Sequence, residues 1–190
     1  ILFRLVGSEM CIRDSAIIIW GAITGIFSTV VYFGANEIAS QNTHFYKLYF
    51  EFERGIPMVP WMIYIYQSFA LLITINYFSI KSPQKIKAYS ISFMSSCGIA
   101  AVFFILFPAE LGFSRTENIE GYEFMFNAIH AIDKPHNLAP SLHIAYSALG
   151  AYVLSSEIQS KILKGIIWIW FILICSSIVL VHQHHLSLIH

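Results

Sequence analysis

The stretch IIWIWFILICSSIVLVH, from Ile166 to His182, decides the fold. It holds no Lys, Arg, Asp or Glu and has no polar stripe that water could solvate, as the outer face of a soluble helix would need. A helix crosses a bilayer in roughly 20 apolar residues, and this segment is nearly that long. Four more stretches of the same kind precede it, at Ala16 to Phe33, Pro57 to Ile80, Ala88 to Phe107 and Pro140 to Ile158. Charged side chains occur only near their ends. The pattern predicts an all-α, polytopic transmembrane helix bundle with five helices.

Composition agrees. The 190 residues are 57% hydrophobic and 12% charged, against about 25% charged in soluble domains, and mean hydropathy is +0.66. A formal net charge of zero with no basic run offers nothing to nucleic acid. Cys11, Cys97 and Cys175 follow no metal or disulfide spacing. No internal repeat appears, and the length suits one membrane domain.

Lysines set the expected topology. Lys81, Lys85 and Lys87 lie between the second and third stretches, and Lys161 and Lys164 lie between the fourth and fifth. Positive loops favour the cytoplasmic side. The longer loops, Gly34 to Ile56 and Glu110 to Ala139, then face outward, in a plasma or inner membrane. Three polar clusters follow them to that side: Arg115, PSLH at Pro140 to His143, and HQHH at His182 to His185.

Each cluster has chemistry and a plainer alternative. Proline suits the first helical position, so Pro140 is expected to open a helix whose next N–H groups form an anion site. Ser141 would add a hydroxyl donor there, and His143 could give a proton to a leaving oxygen; the plainer reading is a helix cap beside an interfacial histidine. Arg115 can clamp phosphate in a planar fork, or simply extend towards headgroups. His182 and His185 share a helix face while His184 points elsewhere. Their intervals do not match zinc motifs, so no metal ligands are assigned.

DKPHNLAPSLHIAYSALGAYVL, followed some forty residues later by SSIVLVHQHHL, resembles the type 2 phosphatidic acid phosphatase superfamily. FERGIPMVPWMIYIYQS, Phe52 to Ser68, is similar to the branch that includes inositol phosphorylceramide synthase-like proteins. The resemblance implies a six-helix bundle with its site facing out of the cytoplasm. It implies His184 as the nucleophile that forms a phosphohistidine, His143 as general acid, and Ser141 and Arg115 as phosphate-binding residues, with no cofactor. Three positions depart from the pattern. The family's lysine seven residues before the arginine is Pro108 here, and the proline after it is Thr116. The aspartate expected four residues after the nucleophile is Leu188.

LVGSEMCIRDS at Leu5 to Ser15 and LSLIH at Leu186 to His190 resemble translated sequencing-adapter read-through. On that reading residues 1–15 and 186–190 are foreign, the membrane domain occupies 16–185, and Leu188 replaces the native residue while a sixth helix is missing. The expected function is metal-independent hydrolysis of a lipid phosphate, with little or no turnover by these 190 residues. The alternatives are a phosphotransferase passing the phospho-headgroup to an alcohol, a metal-binding protein using His182 and His185, and a noncatalytic membrane protein.

Overall fold

A computed structural model of the chain describes residues 2–115 and 119–185, with side chains from Met10 onward. The described residues form six α-helices: α1 (Leu2–Ser40), α2 (Ile63–Ser79), α3 (Pro83–Leu106), α4 (Glu123–Ile132), α5 (Leu142–Glu157) and α6 (Lys161–Leu180). Of these, α1, α2, α3 and α6 contain apolar stretches long enough to cross a membrane. The regular structure among the described residues is therefore all-α, and its apolar helices are those of an integral membrane protein. Large apolar side chains such as Ile26, Phe78, Ile99 and Ile169 stay exposed on these helices, where hydrocarbon would cover them.

The helix count differs from the five spans read in the sequence. The fourth stretch yields α5, which has only 16 residues, short of the roughly 20 that cross a bilayer. Pro140 does not start it. The Ala139–Pro140 peptide bond is cis, Ser141 is the N-cap, and Leu142 is the first helical residue. An additional helix, α4, interrupts the second long loop. It buries Phe126 and Ile129, three apart on one face, and exposes Phe124. The first helix also exceeds its expected range, running unbroken through residues 2–15 and on to Ser40. The Arg13 side chain donates to the carbonyl of Ile80 at 3.2 Å.

Prolines and serines set the boundaries. Phe107, before Pro108, leaves the helical region with φ −132° and ψ 61°, as crowding by the following ring demands. Ser82 precedes Pro83 at the start of α3, and the Ser160 side chain accepts from the Leu163 N–H at 3.4 Å to cap α6. In packing, α1 lies along α3, while α5 is flanked by α2, α6 and α3. Asn76, fully buried, donates to the Gly150 carbonyl at 3.0 Å. A Cβ at Gly150 would come within 3.1 Å of the Leu72 side chain, so the missing side chain lets α2 and α5 approach closely.

Lys85 Nζ and Glu157 Oε1 pair at 2.6 Å, bringing the start of α3 to the end of α5. The lysine loops thus share one end of the bundle. Since α5 runs away from His143 towards that end and α6 returns from it to His182, the histidine clusters share the opposite end. The two long loops are joined there: Tyr46 N–H donates to the Pro108 carbonyl at 2.8 Å, Glu110 N–H to the Tyr46 carbonyl at 2.9 Å, and Ala109 N–H to the His136 carbonyl at 3.0 Å.

Candidate active site

The end of α6 aims the second histidine cluster. His182 stands just past the helix in the left-handed region, φ 58°. Its N–H reaches the Val179 carbonyl at 3.0 Å, and the Gln183 N–H reaches the Ile178 carbonyl at 3.1 Å. These two bonds make the reversal that usually employs glycine at this position. The His182 Nε2 lies 2.9 Å from the Ile56 carbonyl, and its ring stacks on Phe113 at 4.0 Å. The chain then folds back, so His184 and His185 turn inward and are 2% and 0% exposed.

His184 Nδ1 donates to the Leu138 carbonyl at 2.9 Å, leaving Nε2 as the lone-pair nitrogen. Leu138 belongs to the loop entering α5, so this bond brings the two histidine clusters together. The rings of His143 and His184 are 5.9 Å apart, centre to centre, at 66°. Burial pulls the His184 imidazole down to about 4, with the Leu138 carbonyl opposing the change. The ring is neutral at pH 7, as an attacking nitrogen must be.

His143, in the first turn of α5, sits between Tyr66 and Phe69, each ring centre 4.5 Å away. The Tyr66 hydroxyl makes a long 3.5 Å contact with His143 Nδ1. Ser141 is 4% exposed, and its hydroxyl has no hydrogen-bond partner among the described residues. The side-chain amide of buried Asn137 and Nε of Arg115 are likewise unpartnered. Buried polar groups in folded proteins are normally paired. These three groups, on the two segments that bring Arg115 and the PSLH turn to this end, fit a site for a polar ligand.

The charge of Arg115 acts on Asp133 and Tyr32, and on Tyr66, which borders His143. Burial pulls the guanidinium below its ordinary value while Asp133 pushes it back up. Burial also raises the Asp133 carboxyl to about 6, against the lowering effects of the Tyr32 hydroxyl and Arg115. The structure therefore groups His143 with His184 directly, whereas Arg115 acts on Asp133, Tyr32 and Tyr66 through its charge. Ser141 lies on the same turn as His143.

The three neighbouring histidines do not converge. His185 Nε2 accepts the Gly112 N–H at 2.9 Å, and its Nδ1 lies 3.3 Å from Oε2 of Glu53, both side chains fully buried. Tyr49 and Phe113 stack on the His185 ring at 4.4 and 4.3 Å. Among the described residues no three His, Cys, Asp or Glu side chains gather as a metal site would require. Leu188 and His190 lie outside the described residues.

Glu53, Tyr66, Asp133, Asn137 and the Leu138 carbonyl were not singled out from the sequence. Asp133, Asn137 and Leu138 stand within the same DKPHNLAPSLH run as Ser141 and His143. Glu53 stands in FERGIP, just ahead of α2. A carbonyl acting through its backbone leaves no residue signature at all.

The chain matches no protein-family model, no curated protein and no solved structure.

Proposed function

We propose that this protein is a membrane lipid phosphatase that works through a phosphohistidine, without a metal. Support for this reading comes chiefly from one observation: the rings of His184 and His143, carried by different segments, meet 5.9 Å apart. An attacking nitrogen needs about 3–3.5 Å to phosphorus, and an acid needs about 2.6–3.2 Å to the leaving oxygen. A phosphoryl group with its departing oxygen fills such a gap.

Nε2 of His184 would attack phosphorus in line as the P–O bond to the lipid alcohol breaks. His143, as the imidazolium, would give a proton to the departing alkoxide and be left neutral. The unpartnered Ser141 hydroxyl, the first N–H groups of α5 and Arg115 would take the charge on the phosphoryl oxygens. Water, deprotonated by His143, would then cleave the P–N bond and release phosphate. An alcohol in place of water would make the same chemistry a transfer. The lysine loops at the opposite end favour an extracytoplasmic position for this site.

The test is phosphate release from phosphatidic acid in vesicles, with chelator present. Leu188→Asp is expected to raise turnover by about 10²-fold or more, because an orienting carboxylate contributes that much in comparable systems. Adding His184→Ala or His143→Ala should abolish it. Undiminished release in either double variant would exclude these roles.

A further inference from the structure

A cavity of about 330 Å³ lies between α1, α2, α4 and α5, and His143 is in its wall. We infer that it receives the alcohol portion of the lipid and that Asp133 selects alcohols bearing a hydroxyl or amide N–H close to the phosphate ester. This inference rests on the phosphatase reading and gives that site a specificity residue.

The position of the cavity names its occupant. His143 lines it, while Ser141, Arg115 and His184 do not. In the proposed reaction the acid touches the leaving oxygen, so the space beyond it belongs to the leaving alcohol. The walls include Phe33, Phe69, Ile129, Ile132 and Leu142, and the lining from α1 extends inward to Ser28. Apolar surface reaching from the interface into membrane-crossing helices suits a lipid chain. The volume is near the lower end of the roughly 300–1,000 Å³ of ligand pockets. It holds the part of the lipid next to the ester, with the remaining chain in the bilayer.

Among the described residues, Asp133 is the single carboxylate in that lining. It follows the last residue of α4, and the Tyr32 hydroxyl donates to its Oδ1. No described residue makes a hydrogen bond to Oδ2. An ionised carboxylate only accepts hydrogen bonds, so an alcohol that fills this space without a donor would desolvate Oδ2 and leave it unpaired. A buried acceptor left unsatisfied is costly, and a bond to a charged group is strong. A lipid offering only ester oxygens near the phosphate is disfavoured. One offering a free hydroxyl or amide N–H there is preferred by about tenfold or more.

The test is binding to the His184→Ala chain in detergent micelles, by displacement of a fluorescent lipid phosphate, so that nothing is consumed. The competitors are 1-oleoylglycerol 3-phosphate and its 2-deoxy counterpart, which differ by one hydroxyl. The hydroxyl form is expected to bind about tenfold more tightly. Asp133→Ala should bring the two within about twofold, and Asp133→Asn, which keeps an acceptor for Tyr32, should lower the ratio while retaining the fold. Tyr32→Phe, which leaves the carboxylate, should keep the preference. Equal binding in the parent chain, absence of binding by both, or a preference that survives both Asp133 variants or disappears equally in Tyr32→Phe would overturn the inference. A preserved preference in a Leu188→Asp chain that never cleaves these lipids would remove the phosphatase reading and leave the recognition site.

Discussion

Nδ1 of His184 and the backbone carbonyl of Leu138 are 2.9 Å apart, joined by a bond that fixes the imidazole without a carboxylate. The arrangement has a pH signature. The folded-state value of His184 is depressed to about 4 from an ordinary 6.5, and burial depresses His185 as well. Protonation is therefore more favourable in the unfolded chain. The stability that these neutral rings contribute is fully present above about pH 6.5 and is lost as pH falls through 4. Thermal unfolding in detergent should show Tm falling across that window, and His184→Gln should reduce the fall. A Tm that rises on acidification would contradict the neutral, buried assignment.

Gly112→Ala should damage the site from a distance. A Cβ there would lie 2.5 Å from the Tyr49 ring, the ring that stacks on His185, and the Gly112 N–H holds the other side of that imidazole. The crowding is expected to cost about 1–3 kcal/mol. It should also lower phosphohistidine formation, because His185 adjoins His184. Unfolding midpoints and labelling rates measured together check this. Unchanged values for both would show that the stack does not hold the histidine turn.

His182 separates backbone strain from side-chain bonding. At φ 58° a β-branched residue is strongly disfavoured, so His182→Val should destabilise by about 1–3 kcal/mol. His182→Gly adopts that conformation freely and loses only the Ile56 bond and the Phe113 stack. The glycine variant should therefore be the more stable of the two in denaturant unfolding. The reverse order would mean that the turn does not use this conformation.

Removing the acid should depend on the leaving group. His143→Asn is expected to slow cleavage of an alkyl phosphate by about 10²–10⁴-fold. It should slow cleavage of a p-nitrophenyl ester far less, because nitrophenolate departs without a proton. Equal losses for both substrates would assign His143 to binding or packing.

The membrane-crossing helices were legible because long charge-free runs have few other fates. The fourth stretch gave a shorter helix than its apolar run suggested: Ser141 and the preceding proline stay out of α5, which ends at Glu157. The amphipathic α4 was missed because ten residues within a polar loop give a weak periodic signal. His143 and His184 were readable as types placed at helix ends on one side. Their supports were not, since the Leu138 carbonyl, the Glu53–His185 pair and the approach of Asp133 to Tyr32 join residues far apart in sequence.

The most direct measurement is trapping the covalent intermediate. The Leu188→Asp chain in vesicles is mixed with phosphatidic acid labelled in its phosphoryl group, quenched in alkali and mapped by peptide mass spectrometry. An alkali-stable, acid-labile phosphate on His184, absent in His184→Ala and slow to form in His143→Asn, is the expected result. Label on another residue, or label undiminished by His184→Ala, would contradict the account at its centre.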